Sequence, residues 1–125
     1  MSAGRLVFQY AVLRAVPRVE RGESLNAGVV LYCQDAEFLR ALVHLDAGRL
    51  RGLDPGADVE GVRAALEALA RTCAGAGPAG SSPLGQRFRW LTSPRSTVVQ
   101  AGPVHSGFTH DPTRELERLS VALVK

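Results

Sequence analysis

Apolar positions run through the first thirteen residues of interest without strict alternation. "RLVFQYAVLRAVP" (Arg5–Pro17) is rich in β-branched and aromatic residues and closes on a proline. Its apolar side chains fall on both faces, which predicts a first strand placed centrally in a sheet and packed on both sides. "NAGVVLYC" (Asn26–Cys33) predicts a second strand, "QDAE" a tight polar turn, and "FLRALVHL" (Phe38–Leu45) a third strand in a hairpin-like pair. Asp46 is placed to cap a short helical turn, "AGRLRGL", that stops at Asp54-Pro55-Gly56.

The period then changes. Val59, Val62, Leu66, Leu69 and Cys73 are spaced 3, 4, 3 and 4 apart, which puts them on one face of an α-helix. Glu60–Arg63 and Glu67–Arg71 stand at ion-pair spacing on the other side. "AGAGPAGSSPLGQ" (Ala74–Gln86) has the Gly, Pro and Ser content of a flexible linker. Beyond it, "RFRWLTS" and "STVVQAG" predict a fourth and a fifth strand, and "PVHSGFTH" an irregular stretch. Asp111-Pro112 predicts an N-cap and first-turn proline for a last helix with Leu116, Leu119 and Leu123 on one face. The expected fold class is α+β: a mostly antiparallel sheet of about five strands with two main helices packed on one face. Residues 1–125 are expected to form a single domain, with the linker at about 74–86 inside it.

Composition adds constraints rather than a function. A chain of 125 residues, 46% hydrophobic and 22% charged, can bury a core without disulfides or metal. No apolar run approaches the length of a membrane span, and "MSAGRLVFQY" lacks the pattern of a signal peptide, so a cytoplasmic protein without membrane association is expected. Cys33 and Cys73 form no CxxC and no metal spacing, and are expected to be buried, reduced thiols. The net charge of +3 comes almost wholly from arginine, Lys125 being the one lysine. Its distribution matters more than its sum. Ala68–His110 holds no acid against Arg71, Arg87, Arg89 and Arg95, whereas Asp35–Glu67 is net acidic. An anionic partner fits that basic segment, and so does a set of solvated arginines.

Three stretches carry candidate chemistry. At the mouth of the second strand, Arg21, Glu23 and Asn26 offer a guanidinium, a carboxylate and an amide beside Gly22 and Gly28. They suit a well-bonded turn, and equally an edge site for a polar or anionic ligand. In "LTSPRSTVVQ", Arg95 and Ser96 after Pro94 have the composition of an anion site and of an ordinary β-turn. In "PVHSGFTHDP", His105, His110 and Asp111 match no strong metal spacing, and Ser96–His105 with an aspartate matches no nucleophile elbow. His44 at the end of a strand is expected to be structural. Trp90, Tyr10, Phe8, Phe38 and Phe88 are expected in the core rather than as a base-stacking platform.

With those segments laid out, the chain resembles the bacterial family called domain of unknown function 3037. The resemblance rests on "FQYAVLRAVPRVERGESLNAGVVLYC", "HLDAGRLRGLDP" and "FRWLTSPRSTVVQAGPVHSGFTHDP". An Arg-x-Glu-x-x-Asn-x-Gly motif falls on Arg21, Glu23, Asn26 and Gly28, and a second block on Pro94, Arg95 and Ser96. The resemblance names no catalytic residue. It implies a protein partner, a kinase-like neighbour of the HipA type. The leading expectation is a non-enzymatic accessory module, with no cofactor and no metal. The alternatives are a module binding a phosphate-bearing ligand or nucleic acid through Arg21, Arg87, Arg89 and Arg95, and a small enzyme using Glu23 with Arg21 or Arg95.

Overall fold

A five-stranded antiparallel sheet is built around β1 (Leu6–Ala15). β2 (Leu25–Cys33) pairs along one side of β1, and β3 (Phe38–Val43) pairs with β2 in turn. The other side of β1 is shared by two short strands. β4 (Val99–Ala101) takes Leu13 to Ala15, and β5 (His105–Thr109) takes Leu6 to Tyr10. The helices are α1 (Ala47–Leu53), α2 (Val59–Cys73), α3 (Leu84–Leu91) and α4 (Pro112–Leu123), with single 3-10 turns at Val19–Arg21 and Ala79–Ser81. This computed structural model describes residues 4–125 apart from 76, 78 and 96.

The apolar residues on both faces of β1 find two separate cores. Ala11, Leu13 and Ala15 face one way, with Val30 of β2, Ala41 of β3 and the helices α1, α2 and α3. Phe8 and Tyr10 face the other way, with Val29, Leu31 and Cys33 of β2 and Leu116, Leu119 and Val124 at α4. Alternate side chains of a strand point to opposite faces, so the two inner strands, β1 and β2, are buried on both sides. The helices are therefore divided between the faces: α2 covers one and α4 the other. The expectation that both main helices share one face is corrected, because β2 presents an unbroken apolar run and each of its faces needs cover.

Local chemistry sets the helix starts. Asp46, Asp58 and Asp111 each accept a hydrogen bond from the backbone N–H three residues on, at 3.0, 3.0 and 3.2 Å. Each satisfies a donor that the first helical turn leaves free. Val59, Val62, Leu66 and Cys73 of α2 are buried, and Arg63 pairs with Glu60.

Two elements differ from the sequence pattern. "RFRWLTS" is not a strand but most of α3, which begins inside the stretch read as a linker. The period-2 alternation of Arg87, Phe88, Arg89 and Trp90 competes with a stripe of Leu84, Phe88 and Leu91 spaced 4 and 3 apart. The stripe wins because Phe88 and Leu91 reach the core, where Phe88 stacks on Tyr32 at 5.4 Å between ring centroids. Trp90 is thereby turned outward and is 49% exposed, which corrects its placement in the core. "PVHSGFTH" contains β5, a strand of low intrinsic propensity formed by pairing with β1. Gly107 fits there under the Phe8 ring, where a β-carbon would come within 3.0 Å.

Candidate functional site

Arg21, Glu23, Asn26 and Gly28 line the chain's path from β1 into β2, and each has a distinct structural partner. The 3-10 turn Val19–Arg21 ends on Gly22 at φ +72°, a left-handed conformation that glycine adopts without strain. The turn brings Arg21 Nε within 2.8 Å of Glu23 Oε1, in an ion pair with both side chains about half exposed. Glu23 thus faces its own turn.

Asn26 reaches further. Its Nδ2 donates to the carbonyl oxygen of Leu123 at 3.0 Å, a group at the C-terminal end of α4. Two irregularities in β2 make this possible. The β1–β2 register shifts between Leu13, opposite Gly28, and Arg14, opposite Asn26, which leaves Ala27 without a β1 partner. Such a bulge puts two consecutive residues on one face. Leu25 and Ala27 accordingly share the α2 side with Val30, while Asn26 points to α4. The carbonyl of Ala27 accepts from the His44 N–H at 2.7 Å. At Gly28 the strands approach closely: a β-carbon would lie 2.9 Å from the Leu42 carbonyl oxygen, 3.1 Å from Val43 Cγ1 and 3.2 Å from Leu13 Cδ1. Asn26 thus joins sheet to helix, and Gly28 lets the neighbouring strands close on β2.

Arg95 sits elsewhere. Its guanidinium lies over the Trp90 ring, 4.1 Å from the centroid, and Nη2 donates to the Trp90 carbonyl oxygen. Trp90, Arg95, Thr97 and Val99 form one wall of a groove of about 260 Å³ whose other wall is Ala65, Ala68, Leu69 and Thr72 of α2. Arg21, Glu23 and Asn26 are not among its lining residues. Glu23 pairs with Arg21, Arg95 stacks on Trp90, and no ion pair between Glu23 and Arg95 exists among the described residues. Ser96, the remaining candidate, lies outside the described residues.

The basic segment is less uniform than its sequence. Arg87 Nη1 donates to the Cys73 carbonyl at 2.9 Å and Nη2 to that of Ser82 at 2.8 Å, so it ties the end of α2 to the start of α3. Arg89 is exposed. Cys73 and Cys33 are both free and buried, on opposite faces of the sheet. Burial pushes the Cys73 thiol from its ordinary 9.0 up to about 11, against the smaller opposing pull of the Arg87 charge. His105 packs on the Tyr10 ring at 5.2 Å and His110 is exposed. No cluster of three or more His, Cys, Asp or Glu suited to a metal occurs among the described residues, nor any helix long and apolar enough to cross a membrane.

One feature carries no signal in the sequence. Val7 and Phe108 stand opposite each other in the β1–β5 ladder, 53% and 60% exposed, with the Arg5 guanidinium 4.4 Å from the Phe108 ring centroid. Only the pairing of β5 with β1 brings them together.

A family model described as "Protein of unknown function (DUF3037)" matches residues 10–124. No curated protein and no solved structure matches the chain.

Proposed function

The chain belongs to the family of proteins of unknown function DUF3037, and from that premise we propose that it is a non-enzymatic accessory module that docks on a protein partner. The observation that carries this reading is the exposed pair of Val7 on β1 and Phe108 on β5, a strand paired with β1 alone. Edge strands are normally blunted by lysine, proline or inward-pointing charge. β5 reads His-Ser-Gly-Phe-Thr and has none of these. An apolar pair beside free backbone donors and acceptors is the composition of a docking surface.

The motif at the mouth of β2 supports the same reading by having other work. A general base must be free to reach a proton on its substrate, and Glu23 is held by Arg21. The phosphate-binding alternative relies on four arginines, of which Arg21 pairs with Glu23 and Arg87 with two backbone carbonyls.

The resemblance to the family supplies the partner to test, the kinase-like neighbour of the HipA type. The two proteins, co-expressed, are expected to co-elute in size-exclusion chromatography, and Phe108→Ser is expected to separate them. Failure of the unsubstituted chain to associate overturns the proposal.

A further inference from the structure

The groove between α2 and the Trp90–Arg95 pair has an apolar floor, a half-exposed aromatic wall and one charged lining residue. Arg95 is held in place by the Trp90 ring and carbonyl, yet it has no carboxylate partner among the described residues. No acid occurs anywhere from Ala68 to His110. The groove's volume, about 260 Å³, falls below the roughly 300–1,000 Å³ of small-molecule sites. A single large side chain fits it better than a whole metabolite. The charge beside it selects what flanks that side chain.

We propose that this groove binds an acidic segment of a protein partner, taking one aliphatic or aromatic side chain against Trp90 while a neighbouring carboxylate pairs with Arg95. The guanidinium presents a planar fork suited to a carboxylate, and stacking on the indole limits the freedom it loses on binding. Trp and Arg are the residue types most often dominant in such contacts. No residue of β5 lines this groove, and the inference rests on the interaction-module reading while using a different site.

Trp90 is the only tryptophan, so its fluorescence reports the groove directly. The full chain is titrated with a short peptide carrying one leucine flanked by aspartates. A saturable blue shift is expected, with binding about tenfold weaker in Arg95→Gln and lost when serine replaces the peptide's leucine. A peptide with lysines in place of aspartates is expected to leave the emission unchanged. Equal response to the lysine peptide, an unaffected Arg95→Gln variant, or no response to the aspartate peptide overturns the proposal. So does an oligonucleotide that shifts Trp90 emission where the aspartate peptide does not. Failure here with kinase association intact removes the groove and leaves the module; loss of association with peptide binding intact removes the β5 surface and leaves the groove.

Discussion

Asn26 Nδ2 donates to the Leu123 carbonyl oxygen at 3.0 Å, linking two residues 97 positions apart. The bond joins the bulged start of β2 to the end of α4, where helical carbonyls have no intrahelical donor. Asn26→Ala is expected to lower stability by about 1 kcal/mol, the usual net value of such a bond. Asn26→Asp is expected to lower it further, because a carboxylate cannot donate and faces the negative end of the helix. Urea unfolding of both variants checks the order; equal or reversed effects contradict the bond's role.

Gly28 allows the approach of β1 and β3 to the bulge. Gly28→Ala places a methyl group 2.9 Å from the Leu42 carbonyl oxygen, which is backbone and moves only with its strand. Overpacking of this kind costs about 1–3 kcal/mol. Denaturant midpoints measured beside Gly52→Ala, where a β-carbon meets nothing within 4 Å, separate this clash from a general effect of replacing glycine.

The Arg21–Glu23 pair is half exposed, and such pairs contribute about 0–1 kcal/mol. Glu23→Gln is therefore expected to shift stability by less than about 1 kcal/mol, and the shift is expected to shrink as salt is raised. Thermal unfolding at low and high ionic strength measures both. A larger loss that resists salt contradicts a solvent-screened pair.

Cys73 ionises near pH 11 in the folded chain and near its ordinary 9.0 when unfolded. Between those values the unfolded chain releases its proton first. The stability that this buried thiol contributes is thus present below about pH 9 and declines as pH rises through about 11. In a Cys33→Ala background, a thiol-specific reagent at pH 8 is expected to label Cys73 only as the protein unfolds in urea. Rapid labelling of the folded chain contradicts the burial.

Those elements whose information is local were legible from the sequence. Asp46 and Asp111 cap the helices their spacing suggests, the α2 stripe from Val59 to Cys73 is helical, and the apolar residues of β1 on both faces place it in the centre of the sheet. What was not legible depends on distant partners. α3 and a strand compete over the same residues, and the single core that holds Leu91 and Phe88 against Tyr32 decides for the helix. β5 exists because β1 pairs with it, so the exposed Val7–Phe108 pair had no local signature. At the candidate site, the motif's residues were visible but their targets were not: Asn26 could not be matched to Leu123, nor Gly28 to Leu42, from spacing. Spacing puts Val121 and Val124 alike off the Leu116–Leu119–Leu123 stripe, yet Val121 is 65% exposed and Val124 is buried against the sheet.

The central claim is that the motif at the mouth of β2 supports the fold while the proposed docking surface lies at β5. Its most direct test is size-exclusion chromatography of the proposed kinase-like partner with two variants in parallel, Glu23→Gln and Phe108→Ser, each first shown to be folded by circular dichroism. Co-elution retained by Glu23→Gln and lost by Phe108→Ser is the predicted result; association lost by Glu23→Gln and retained by Phe108→Ser contradicts it.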